Sequence, residues 1–174
     1  MRSRLLPIVA LLGAVLSLSA CGTRAPQIAM PSGLNNDLVT RAVHTATDMD
    51  LSGKRVWCVP FARNASGIYL RGDAHTWWDQ AQGQLATGQT PSVGAVMTFS
   101  DSAKLRRGHL AVVSQVVSDR EIRIHHANWE RNKVSLDMGV IDVSDAGDWS
   151  RVRVESVPGA FGGVYPVDGF IRKN

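Results

Sequence analysis

The chain from Pro91 onward is a succession of short runs rich in valine, isoleucine and aromatic residues, separated by turn-forming residues. Runs of this length and composition are typical of β-strands. Ser118 and Asp119 separate two of the runs and predict a tight turn between neighbouring strands. The predicted strands cover residues 93–99, 109–117, 121–128, 134–143, 149–154 and 163–171.

The segment before Pro91 has helical features instead. Residues 37–50 place Val39, Ala42, Val43 and Ala46 on one side of a helix. Two further helices are predicted at 60–66, which starts at a proline and ends before Gly67, and at 73–82, with Asp73 as the N-cap. Helices followed by an antiparallel sheet indicate an α+β domain.

The first twenty residues carry the three parts of an export signal in order. Arg2 and Arg4 make a positive front, residues 5–18 are mostly apolar, and small residues precede Cys21. The apolar run is shorter than the roughly 20 residues that a transmembrane helix needs. A short uncleaved anchor helix is the alternative interpretation.

The sequence LSAC, which ends at Cys21, resembles a bacterial lipobox. That resemblance implies that Cys21 is lipidated, becomes the new N-terminus and anchors the protein to a membrane through its acyl chains. The residue after Cys21 is Gly22 and not an aspartate. In the resemblance to lipoproteins, the absence of aspartate there implies the periplasmic face of the outer membrane. The expected organisation is a signal peptide (1–20), a lipidated cysteine and linker (21–49) and one folded domain (50–174).

The charge of the chain does not indicate a nucleic-acid partner. Loss of Arg2 and Arg4 with the signal lowers the net charge from +4 to +2, and no basic run is interleaved with aromatic residues. Lys104, Arg106 and Arg107 are close together and predict a solvated loop, with contact to an anionic wall polymer as the alternative.

Cys58 is the second of two cysteines, and a lipidated Cys21 cannot pair with it. A single exported cysteine is a reactive thiol, a partner in an intermolecular disulfide, or a buried apolar side chain. Cys58 precedes a helix that Pro60 starts, so we expect it at the N-terminal cap. There the helix dipole and free N–H groups would lower the pKa of the thiol and favour a nucleophile.

A cysteine nucleophile needs a base and a group that orients the base. Of the five histidines, His109 is the candidate base, because it follows Gly108 and opens an apolar strand. A strand-end histidine bonded to backbone is its alternative. His125 and His126 point to opposite faces of one strand, which argues against a metal site. His126 and Asn128 share a face that could meet His109, and Trp129 could shield that contact from water.

Five blocks of sequence resemble the CHAP domain, the cysteine- and histidine-dependent amidohydrolase/peptidase family. They are CVPFARNASGI, GDAHTWW, PSVGAVMTF, GHLAVVSQVV and HHANW, within residues 50–155. The resemblance implies a papain-like fold, with the cysteine on the first helix of the domain packed against a small antiparallel barrel. It also implies hydrolysis of an amide bond in peptidoglycan, either between N-acetylmuramic acid and L-alanine or within the stem peptide, without a cofactor.

The resemblance assigns Cys58 as the nucleophile and His109 as the base. Relatives commonly have a glutamate where this chain has His126, so either His126 or Asn128 is the expected third member. Many relatives also carry glutamine where this chain has Trp57, which leaves the backbone N–H of Cys58 as the expected oxyanion donor.

Three tryptophans, Trp57, Trp78 and Trp129, are candidates for lining the substrate cleft. For the pair at 77 and 78, packing in the core and over the seam to the neighbouring helix is the alternative. The expected partners are peptidoglycan and, through the lipid, a membrane. Two other functions stay open: an amidase of a small peptide conjugate, and a non-catalytic wall-binding lipoprotein with a degenerate cleft.

Overall fold

The computed structural model describes residues 33–174. The predicted signal peptide, the lipidated Cys21 and the first part of the linker lie outside the described residues. Helix α1 (Asn36–Leu51) confirms the helix predicted at 37–50 and buries Val39, Ala42 and Ala46. It packs against the next helix, and the expected domain start at residue 50 falls inside it. None of the helices in residues 33–174 is long and apolar enough to cross a membrane.

Helix α2 (Cys58–Ser66) confirms the helix predicted around Pro60. Pro60 lies in its first turn, where a missing N–H costs nothing. The helix ends at Gly67, whose φ of 66° is the left-handed conformation that favours glycine. Cys58 is the first helical residue and Trp57 is the cap, so the expected position of Cys58 is wrong by one residue.

The helix predicted at 73–82 is shorter and divided. A single 3₁₀ turn, Ala74–Thr76, leads into α3 (Trp77–Ala81). Asp73 flanks the turn but makes no side-chain capping bond, because its carboxylate pairs with Arg107 from the loop before the third strand. Asp73 therefore ties two segments of the fold together and does not cap a helix.

The strands form one antiparallel sheet in the order β1-β7-β2-β3-β4-β5-β6, and β6 pairs back onto β7. Six strands thus close into a barrel, and β1 lies outside it on β7. The strands are β1 (Ala86–Gly88), β2 (Val96–Phe99), β3 (His109–Ser118), β4 (Glu121–Ala127), β5 (Val134–Asp142), β6 (Arg151–Val157) and β7 (Ala160–Arg172). The predicted α+β fold, with N-terminal helices packed against a small antiparallel barrel, is confirmed.

The barrel separates two apolar cores. Alternate residues of β3 point to opposite sides, so Leu110 and Val112 pack against the helices while Ala111 and Val113 pack inside the barrel. The side chain of His109 contacts Phe99, which also belongs to the barrel interior. The start of β3 is therefore where the helices, the barrel interior and the base candidate meet.

Gly108 sets the entry into β3. Its φ is +66°, and a Cβ there would lie 2.7 Å from the backbone nitrogen of His75 and 2.7 Å from the backbone oxygen of Phe99. We expect Gly108→Ala to lower the free energy of unfolding by roughly 3 kcal/mol or more, because strain and a backbone clash add. Denaturant unfolding of the purified variant measures this loss.

Gly159→Ala is the matched control for that variant. Gly159 also has a positive φ, +79°, but nothing lies within 4 Å of a Cβ there. We expect this control to cost only about 1 kcal/mol. Equal losses in the two variants would mean that Gly108 is needed for its φ alone and not for the close approach of two other backbones.

Candidate active site

The thiol of Cys58 lies where α2 begins and meets β3. Its side chain is partly buried against the core on the helix side of the sheet, which includes Leu110. The backbone N–H groups of Leu110, Val59 and Cys58 itself lie near the sulfur. The nucleophile candidate therefore sits beside the strand residue that directly follows His109.

The expected low pKa of Cys58 is wrong in its net direction. Burial raises the pKa of the thiol above its ordinary value, because a thiolate loses hydration there. The N–H of Leu110 in β3 lowers it, the N–H groups of Val59 and Cys58 at the helix start lower it as predicted, and Arg107 lowers it further, but burial is the larger effect. The resting group is a neutral thiol that needs a base.

His109 and His126 are joined by their ring nitrogens, with 3.0 Å between Nε2 of His109 and Nδ1 of His126. His109 is 4% exposed and His126 is fully buried. The ring of Trp129 lies 5.1 Å from that of His109 and 5.5 Å from that of His126, centroid to centroid. Trp129 thus shields the histidine pair from water, as the sequence predicted.

Both rings of this pair are neutral in the fold. Burial lowers the pKa of His109 well below its ordinary value, and the neighbouring His126 lowers it further. Burial, with a smaller contribution from His125, lowers the pKa of His126 to about 3. A neutral histidine has one bare ring nitrogen, so His109 is able to accept a proton from a thiol at neutral pH.

Asn128 does not orient His109 in this structure. Its side-chain oxygen accepts a hydrogen bond from the backbone N–H of Asn132, at 3.0 Å, within the loop that joins β4 to β5. Its φ of 64° is left-handed and breaks the alternation that would have kept it on the face of His126. Of the two expected third members, only His126 bonds to His109.

The other histidines lie outside this pair. His125 accepts a hydrogen bond from the backbone N–H of Asp137, 3.1 Å away, on the face opposite His126. His44 is exposed on α1, and His75 lies in the 3₁₀ turn Ala74–Thr76. Among residues 33–174, no three His, Cys, Asp or Glu side chains converge as a metal site would require.

The three tryptophan candidates have different surroundings. Trp57 is 43% exposed next to Cys58, and the Arg55 guanidinium stacks 4.1 Å from its ring centre. Trp78 packs against the helix-side core and against Gly169 in β7, so the structure gives it the core-covering role. Trp129 contacts the histidine pair directly. Trp57 and Trp129 remain the candidates for substrate contact.

Sequence reasoning missed several residues around the pair. Phe99 packs edge-on to His109, and Tyr165 packs against Trp129 with their ring centres 4.9 Å apart. The ammonium of Lys104 lies 5.3 Å from the ring centre of Tyr165, which gives part of the predicted solvated loop a specific contact. These contacts join β2, β7 and loops distant in sequence, and no local pattern signals them.

Two comparisons with known proteins found a similarity. The CHAP domain model matches residues 50–128, which include Cys58, His109 and His126. An N-acetylmuramoyl-L-alanine amidase from Staphylococcus aureus is a similar solved structure, with 22% identity and a TM-score of 0.47. That match covers 68% of this chain and 31% of the amidase, so this chain corresponds to less than a third of the amidase's length.

No curated protein sequence matches the chain. The family match rests on the region that carries the predicted nucleophile and the histidine pair, and it supports the prediction that the chain is an enzyme of the cysteine- and histidine-dependent amidohydrolase/peptidase class. The resemblance read from the sequence is thereby confirmed over residues 50–128, which match the CHAP domain.

Proposed function

We propose that the protein is a membrane-anchored peptidoglycan hydrolase that cleaves an amide bond by cysteine catalysis. The observation that carries the proposal is the buried His109–His126 pair, with the Cys58 thiol beside the backbone of Leu110, the residue that follows His109, inside the region that matches the CHAP domain. The bond is either the N-acetylmuramoyl-L-alanine amide or an amide within the stem peptide.

The neutral state of the site determines the order of proton transfers. The Cys58 thiol gives its proton to His109 as the sulfur attacks the amide carbon, and the backbone N–H of Cys58 stabilises the oxyanion. Protonated His109 then gives the proton to the leaving amine. Finally His109 takes a proton from water, whose oxygen attacks the thioester, and the proton returns to the released sulfur.

We propose that Cys21 carries the lipid and holds the domain at the periplasmic face of the outer membrane. The support is the sequence of the first 22 residues alone. Expression of Cys21→Ala with fractionation of the cells tests this part separately. Equal recovery of the variant and the native protein in outer-membrane fractions would contradict the anchor and leave the hydrolase proposal untouched.

Digestion of purified peptidoglycan sacculi tests the reaction. We expect released products that mass analysis identifies as intact stem peptides for an amidase, or as shortened stems or resolved cross-links for an endopeptidase. Release of no product by the folded protein, whose folding circular dichroism verifies, would contradict the hydrolase.

The second candidate is a non-catalytic protein that binds wall peptide in a degenerate cleft. The raised pKa of the Cys58 thiol and the near-complete burial of His109 are the observations that favour it. Co-sedimentation with sacculi, without product and equally in Cys58→Ala, is the result that this alternative predicts.

The pH dependence of kcat/KM follows from the shifted pKa values of His109 and Cys58. His109 must be neutral to act as a base, and burial together with His126 lowers its pKa well below 6.5. The thiol pKa is raised above 9.0, so the thiol stays protonated across neutral pH. We therefore expect a broad plateau, with the acid limb well below pH 6.5 and the alkaline limb above pH 9. Product release from sacculi across about pH 4 to 10 measures it.

Stability has to be followed at each pH in that experiment. The unfolded chain binds protons at its histidines near pH 6.5, whereas buried His109 and His126 do not, so stability falls as the pH falls below 6.5. Circular dichroism separates unfolding from loss of catalysis. An acid limb at or above pH 6.5 in folded protein would contradict the neutral pair.

A further inference from the structure

We propose that the thioether of Met138 fixes the tautomer of His126 and, through it, the tautomer of His109, so that the base presents a bare nitrogen to the thiol. Met138 is thus a positioning residue, and this role rests on the proposed hydrolase function. The distance from Nε2 of His126 to the sulfur of Met138 is 3.1 Å.

A bulge in β5 accompanies this contact. Met138 pairs with Ile124 in the register of β4 and β5, while Ser135 pairs with His126. Two steps along β4 therefore match three steps along β5, so β5 carries one extra residue there. Bulges of this kind turn the neighbouring side chains and occur next to active sites. Met138 directly follows Asp137, whose φ of 53° marks the irregularity.

His125 holds the bulge from the other face of β4. Its Nδ1 accepts the backbone N–H of Asp137 at 3.1 Å, which is the residue before Met138. The side chains of the two adjacent histidines thus hold the same point of β5, that of His125 through the backbone N–H of Asp137 and that of His126 through the sulfur of Met138. Neighbouring His125 and His126 therefore both have a structural role at β5.

The chemistry of the two atoms determines the position of the proton. A thioether sulfur has no proton and is able only to accept. Nε2 of a neutral His126 facing that sulfur is therefore the N–H, and Nδ1 is the bare nitrogen. Burial keeps His126 neutral, because it lowers the pKa of the ring to about 3.

The tautomer of His126 determines the tautomer of His109. Nδ1 of His126 accepts, so Nε2 of His109 donates across the 3.0 Å contact. The remaining nitrogen of His109, Nδ1, is bare and makes no hydrogen bond within residues 33–174. That nitrogen is then the one free to take the proton of Cys58. In the opposite tautomer, Nδ1 would carry a proton and His109 would be unable to act as the base.

Nitrogen-15 spectra of the full-length protein in detergent, with labelled histidine, test the assignment directly. We expect Nε2–H tautomers for both His109 and His126 at neutral pH, assigned with His109→Gln and His126→Gln variants. Met138→Leu removes the acceptor at similar volume, and we expect it to mix the tautomers of both rings. Met138→Gln restores an acceptor oxygen, and we expect it to restore the single tautomer.

Met97→Leu is the matched control, since Met97 is a buried methionine of the same barrel interior. We expect it to leave the histidine spectra unchanged, because the swap conserves volume. An Nδ1–H tautomer for His126 in the unaltered protein would overturn the proposal. Unchanged histidine spectra in Met138→Leu would overturn it too.

Kinetics add a second measurement. We expect Met138→Leu to lower kcat on sacculi about threefold to tenfold with KM unchanged, as loss of one hydrogen bond would. Recovery in Met138→Gln is expected, and a fall in KM or equal loss in Met97→Leu would contradict a positioning role. Because the spectra need no substrate, they give a result even if the protein releases no product, so failure of the proposed function is distinguishable from failure of this inference.

Discussion

Cys58→Ala is expected to abolish the release of products from sacculi, with kcat/KM reduced at least about a thousandfold. The proposed reaction passes through a thioester on this sulfur, and alanine offers no atom to form it. The substitution removes one partly buried atom at the start of α2, so a small change in thermal stability is expected. Mass analysis of soluble products against time measures the effect.

Ser66→Ala is the control for that result. It lies at the opposite end of α2, where its hydroxyl donates to the backbone oxygen of Ala62. We expect its product release to match that of the unaltered protein. Equal product release by Cys58→Ala and the unaltered protein would show that another group carries the chemistry, and the assignment of the nucleophile would be wrong.

Local patterns predicted the elements of the fold better than their ends. The six barrel strands were all predicted, since each is a run of strand-forming residues between turn signals. The short β1 was missed, because Ala86–Gly88 is too brief to show a pattern and exists through its pairing with β7. The predicted helix at 73–82 was too long, because its first turn, Ala74–Thr76, is a 3₁₀ turn that the sequence pattern does not distinguish from α-helix.

In the candidate site, too, local sequence predicts some features and contacts between distant segments decide the others. A helix start next to Cys58 was predictable from Pro60, and the N–H groups there do favour the thiolate. The net pKa depends on how much of the barrel and the helices cover the sulfur, which no local sequence reports. Met138 was missed for a related reason, because its approach to His126 depends on one extra residue in β5.

Alternation along a strand predicted that His126 and Asn128 face the same way. Either residue was therefore able to be the third member of the site, beside Cys58 and His109. The prediction fails at Asn128 because β4 ends at Ala127 and the backbone then turns left-handed. The side chain of Asn128 binds the backbone of Asn132 and stabilises the loop. The end of the strand, which the sequence places only within a residue or two, thus decides which residue contacts the base.

His126→Ala is expected to lower kcat on sacculi by roughly a hundredfold to ten-thousandfold, because His109 loses the acceptor that fixes its tautomer. The same change removes the smaller of the two effects that lower the pKa of His109, of which burial is the larger. The acid limb of the pH profile is therefore expected to move to higher pH in this variant. Steady-state rates across pH measure both effects.

Asn128→Gly provides the matched comparison. Glycine keeps the left-handed backbone at this position and removes only the side chain, so the variant isolates the amide. We expect kcat within about threefold of the unaltered protein, with a loss of about 1 kcal/mol in unfolding free energy from the missing bond to Asn132. A large loss of kcat in Asn128→Gly beside a small one in His126→Ala would reverse the assignment. The His109–His126 bond would then be structural, and the amide would have to reach the base in a conformation other than this one.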